Sequence, residues 1–152
     1  MNLSIQKKDE AIDFVEFNIT GDPENYKRCD EESMYINNMI FNVFSDCFER
    51  SNHLFDHMQP TAYNSRHFIA LKNELSSNLY NLLDINNMND FWRFIDSLHM
   101  GQRMTEAMGG NDPERRKRWR SCLRHLIRDN NYITRLIDRC IDQNLTLWVI
   151  PF

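Results

Sequence analysis

Through most of this chain apolar residues recur at three-and-four spacing, the mark of amphipathic helices; only near its two ends do they alternate as in strands. Ile36, Ile40, Val43, Phe44, Cys47 and Phe48 trace a first helix. Asp30-Glu31-Glu32-Ser33 would open it, with carboxylates where the helix dipole favours them, and Pro60 closes the region. A second helix runs from about Ser65 through Phe68, Leu71, Leu75, Leu79 and Leu82 to the turn Asp84-Ile85-Asn86-Asn87. A third takes Asn89 as N-cap, buries Phe91, Phe94, Ile95, Leu98, Met104 and Met108, and stops at Gly109-Gly110. Gly101 inside it costs about 1 kcal/mol relative to Ala and predicts a kink or a close helix contact. Asp112 as N-cap and Pro113 at the first helical position start a fourth helix, with Trp119, Cys122, Leu123 and Leu126 inward. Asp129-Asn130-Asn131 then either breaks or bends the pattern before Ile133, Leu136, Ile137, Cys140 and Ile141, so 113–142 reads as one helix or two.

At the front, Val15, Phe17 and Ile19 alternate, although Ile12, Val15 and Ile19 also fit a helical stripe. Aromatic and β-branched residues favour the strand, and Thr20-Gly21-Asp22-Pro23 ends it. The tail from Leu145 to Phe152 is too apolar for a frayed end and supplies a partner strand. The expected fold is mainly α: one domain spanning 1–152, about five helices, with a two-stranded ribbon pairing 11–19 with 145–150.

Composition adds limits. With 152 residues, 41% of them hydrophobic, the chain can bury one core, and four Gly with four Pro leave no linker-like tract. The N-terminus lacks the apolar run of a signal peptide and no segment approaches a membrane span, so a cytoplasmic location is expected. Cys29, Cys47, Cys122 and Cys140 form no Cys-x-x-Cys pair and read as free thiols in a reducing compartment. Charge is uneven: residues 1–76 carry 13 acidic and 7 basic side chains, residues 77–152 carry 9 and 11.

Two charged segments are the candidate surfaces. On a helical projection Lys117, Arg120, Arg124 and Arg128 fall in one line opposite the Trp119 and Leu123 face, a stripe able to follow nucleic-acid phosphates with Trp119 or Tyr132 stacking on bases. A solvated helix face explains the same stripe, and a pI near 5.7 opposes a polyanion-binding role. Asp22, Glu24, Asp30, Glu31 and Glu32 form an acidic segment that either clamps this helix internally or meets a basic protein.

Catalytic signatures are weak. His53 and His57 have the i, i+4 spacing of two metal ligands on one helix, beside Asp56, but two ligands make no site. Cys122 with His125 is the one local thiol–imidazole pair, and the thiol faces the expected core. Met108-Gly109-Gly110-Asn111-Asp112 precedes a helix start without the spacing of a phosphate loop. Methionines 34, 39, 58, 88, 100, 104 and 108 at helical spacing read as core filler. No catalytic residue, metal or cofactor is therefore expected.

The resulting expectation is a non-enzymatic intracellular protein-binding domain, an inhibitor or immunity-type protein whose acidic segment meets a basic partner such as a nuclease-type toxin. The alternative is a nucleic-acid-associated protein using helix 115–128. Trp92, Phe55 and the 145–152 tail, if exposed, would mark a homodimer interface.

Overall fold

The computed structural model describes Ile5 and residues 13–152; the remaining residues of the first twelve, including the start of the expected 11–19 strand, lie outside the described part. Strand β1 (Phe14–Asn18) pairs antiparallel with the C-terminal strand, which becomes β4 in chain order (Leu147–Pro151), setting Phe17 opposite Val149 and Asn18 opposite Trp148. The expected terminal ribbon is thus present, but it is only the centre of a sheet. Strand β2 (Met34–Asn37) pairs with the free side of β1, and β3 (Thr61–Tyr63) with the free side of β4, giving the antiparallel order β2-β1-β4-β3. The fold is mainly helical with a small four-stranded sheet, not a pure bundle.

β2 corrects the first helix. Asp30-Glu31-Glu32 precede a strand, not a helix, and the helical turn begins only at α1 (Asn38–Ser51). Asn37 makes both transitions: it is the last strand residue, and its side chain accepts from the amides of Met39 and Ile40. Ile36, assigned to the helix by spacing, belongs to the strand and pairs with Val15.

Helix α2 (Ser65–Asp84) matches expectation and opens with a capping box, in which Asn64 and His67 each accept a backbone amide of the other. The expected third helix is two. α3 (Met88–Ser97) is capped by Asn87, not Asn89, and α4 (Gly101–Met108) follows a turn. Gly101 is where the chain doubles close to itself: a Cβ there would sit 2.4 Å from the carbonyl oxygen of Ile95. Asp112 and Pro113 open α5 (Pro113–Arg116), which ends after one turn, and α6 (Trp119–Gln143) then runs unbroken through Asp129-Asn130-Asn131. Asn130 does not interrupt α6 because its side chain is used sideways: its amide donates to the Leu75 carbonyl and its oxygen accepts from Asn78, tying α6 to α2.

The inner sheet face, with Val15, Phe17, Ile36, Tyr63, Leu147 and Val149, joins the helices in a continuous apolar core. α1 packs between this sheet and α2, and α6 lies on α2 and α3. On the outer face Glu16 and Asn18 are also fully buried, because the 19–33 segment crosses over them. Glu16 accepts from Asn18 and from the Cys29 amide, and Asn18 donates to the Lys27 carbonyl, so a buried carboxylate is satisfied and the strap held down. Of the residues weighed above as dimer surface, Trp92 and Val149 are core at 1% exposed each, Phe55 is half-buried against the core, and Phe152 at the end of the tail is exposed.

Candidate functional site

The acidic segment is the strap itself, and two of its five carboxylates are spent on holding its shape. Asp22 accepts the amides of Glu24 and Asn25, which hold its carboxyl below the usual range, while its carbonyl accepts from the Trp148 indole at 2.8 Å. Asp30 lies 3.1 Å from Lys27, accepts the Glu32 amide, and offers its carbonyl to the Tyr35 hydroxyl. Glu32 reaches Arg139 at 3.6 Å near the far end of α6. Glu24 and Glu31 are exposed and make no ion pair among the described residues. The internal clamp onto residues 117–128 is not seen among the described residues: no ion pair there joins Asp22, Glu24, Glu31 or Glu32 to Lys117, Arg120, Arg124 or Arg128.

The basic stripe is partly dismantled as well. Lys117 precedes α6 and is held by Glu114 at 2.6 Å, and Arg128 donates to His125 and lies 3.9 Å from Asp129. Arg120 covers the ring of its neighbour Trp119, and Trp119, 8% exposed, is not a surface for stacking bases. Arg120 and Arg124 remain exposed with no ion pair among the described residues. His53 and His57 follow the end of α1 and so do not share a helix face; His57 bonds Glu49 at 2.6 Å. No group of three metal-ligating side chains gathers among the described residues.

What spacing did not reveal is a cleft of about 410 Å³ between the end of α4 and the start of α6, lined by Met108, Arg115, Arg118, Ser121, Cys122 and His125. Gly109 shapes it. Its φ of 78° ends α4 in the left-handed region, and a Cβ there would meet the Arg115 Cδ at 2.3 Å, so Arg115 lies across the turn only because this residue is Gly. His125 receives the Arg128 guanidinium on Nδ1 at 2.8 Å, which leaves the ring proton on Nε2. Burial, with Arg128 and Arg124 beside it, keeps this imidazole below its ordinary pKa. Burial raises the Cys122 thiol, with the Arg118 charge only opposing it, so the thiolate needed for the Cys122 and His125 chemistry is disfavoured.

Comparison with known protein families, with curated proteins and with solved structures finds no match. Among the described residues no helix is long and apolar enough to cross a membrane.

Two further features went unread in the sequence. The outward side of α2 carries Ile69, Asn73, Ser76, Tyr80 and Leu83 in one line, with Ile69 70%, Tyr80 72% and Leu83 62% exposed. Beside Ile69, Ile141 and Leu145 border a second groove of about 230 Å³ between α2 and the end of α6. The other is Asp129, 0% exposed on α6. Neither of its oxygens accepts a well-formed hydrogen bond, and burial lifts its pKa to about 7 against the pull of Arg128 and the Ile5 amide.

Proposed function

We propose that this chain is a non-enzymatic protein-binding domain of the inhibitor or adaptor type, which meets its partner through the outward face of α2. The observation that carries this is the exposure of Ile69, Tyr80 and Leu83 along one helix side that holds no charge between them. Interface centres are depleted in charge and enriched in Tyr and large apolar side chains, and a row from residue 69 to 83 is about 20 Å long, the scale of a protein contact. Glu24 and Glu31, exposed and without an ion pair among the described residues, add acidic charge that favours a basic partner such as a nuclease-type toxin and speeds encounter. This moves the contact from the five strap acids to α2, since Asp22 and Asp30 are committed to the strap. Burial raises the Cys122 thiol and so disfavours its thiolate, which favours binding over nucleophilic catalysis.

The test compares proteins captured from the source cell by the wild-type chain, by Tyr80→Asp with Leu83→Asp, and by Glu24→Gln with Glu31→Gln. A partner lost with the α2 pair and weakened at moderate salt by the acidic pair supports the reading. A partner retained by the α2 pair defeats it.

A second reading, nucleic-acid association, is favoured by one observation, the exposed Arg120 and Arg124 on α6, which make no ion pair among the described residues. Replacing Lys117, Arg120, Arg124 and Arg128 by Gln should then abolish retention of RNA or DNA at low salt. No retention by the wild type would end it.

A further inference from the structure

The cleft between α4 and α6 has a charge problem that a ligand would solve. Three cationic or donor-bearing side chains, Arg115, Arg118 and His125, line it together with the Ser121 hydroxyl, and no carboxylate does. Asp112 touches the edge only, 3.8 Å from the Arg115 Nε, with its other oxygen taken by the Glu114 amide. The Arg118 side chain makes no ion pair or hydrogen bond among the described residues, and neither does the Ser121 hydroxyl.

The start of α6 sharpens the mismatch. A 25-residue helix begins here with Arg118 at its N-cap position, where Ser, Thr, Asp or Asn would satisfy the first amides, and no side chain caps it. A cation at this end opposes the helix dipole. The first turn, through Ser121 and Cys122, is one wall of the cleft. A dianion in the cleft would neutralise Arg115 and Arg118, take donors from Ser121 and from His125 Nε2, and supply the negative charge the helix start lacks.

We propose that this cleft binds a phosphate monoester. The cations converge on one hollow and do not form a line, which suits a single terminal phosphate better than a polynucleotide track. Two guanidinium groups and two neutral donors match the three terminal oxygens of a monoester, and about 410 Å³ leaves room for the group that carries it. This site is independent of the α2 surface: either can fail without the other.

Cys122 lines the cleft and reports on it. In a Cys29→Ser background the other two cysteines, Cys47 and Cys140, are buried, so slow alkylation with a maleimide reads Cys122. With a Kd of about 1 mM, inorganic phosphate at about 10 mM should slow labelling roughly tenfold relative to chloride of equal ionic strength. Arg118→Gln, an exposed change, should lose that protection, and Arg118→Lys should keep part of it. Phosphoserine protecting more strongly than phosphate points to a phosphorylated side chain, a nucleoside 5′-monophosphate doing so points to a nucleotide, and equal protection identifies phosphate itself. The proposal is overturned by a labelling rate that phosphate leaves unchanged, by equal slowing in Arg118→Gln, or by stronger protection from RNA lacking a terminal phosphate.

Discussion

Asp129→Asn should make the protein more stable, and by an amount that depends on pH. The carboxyl is fully buried on α6 without a well-formed hydrogen bond, and its pKa is pushed up to about 7 from an ordinary 3.8. Because the folded pKa lies above the unfolded one, the native state holds this proton more tightly. Below about pH 4 both states are protonated and the group costs nothing; as pH rises toward about 7 the unfolded chain ionises first, and stability falls. The gap of about three units, at about 1.4 kcal/mol each, sets an upper limit of about 4 kcal/mol, reached above pH 7. Asn has nearly the same shape and no charge, so the variant escapes this loss. Urea unfolding of both proteins at about pH 4 and about pH 8 separates this group from every other carboxylate, since the rest cancel in the difference. The expected result is near equality at the lower pH and a gain of about 2–4 kcal/mol for Asp129→Asn at the higher. A difference that is the same at both pH values, or a variant less stable at about pH 8, would refute the reasoning.

Other expectations follow from single contacts. Gly109→Ala forces a Cβ into the Arg115 side chain at a left-handed residue, and should lower unfolding free energy by about 1–3 kcal/mol while removing phosphate protection of Cys122. Asn130→Ala removes the bonds to Leu75 and Asn78 that dock α6 on α2, costing about 1–3 kcal/mol in denaturant melts. Tyr80→Asp, on a side chain 72% exposed, should change stability by less than about 0.5 kcal/mol, which distinguishes a contact surface from core.

Periodicity was a good guide where one face of an element is buried and the other wet. Phe68, Leu71, Leu75 and Leu82 are all fully buried in α2, and the pairing of the two chain ends could be read from their β-branched and aromatic content. It failed where strands are short or buried on both faces. Met34-Tyr35-Ile36-Asn37 runs directly into α1, so Ile36 continues the helical spacing although its residue is a strand partner of Val15. The three residues of β3 are too few to show alternation. Asn130 carries turn chemistry in its sequence context, but a tertiary partner on α2 takes its side chain and the helix persists.

The functional surfaces were less legible than the fold, for a related reason. Charge runs are visible in sequence, while their ion pairs are not: Asp22 and Asp30 serve their own strap, and Lys117 serves Glu114. The cleft joins Met108 and Arg115 to Ser121 and His125 across the end of a helix, a turn and a separate one-turn helix. Its sequence traces were Gly109-Gly110, which read as a helix stop, and the Cys122 and His125 pair, which read as a thiol facing the core beside an imidazole. The α2 face could have been found by asking which apolar residues fall off the core stripe, since Ile69, Tyr80 and Leu83 lie opposite Leu71, Leu75 and Leu82.

The central claim is that α2 is the contact face, and site-specific photocrosslinking in the source cell tests it most directly. A photoreactive residue placed at Tyr80 should give one discrete adduct with another protein, and the same group at Arg124 should give none with that protein. A chain that crosslinks from Arg124 or Glu24 but not from Tyr80, or whose only Tyr80 adduct is a second copy of itself, would contradict the account.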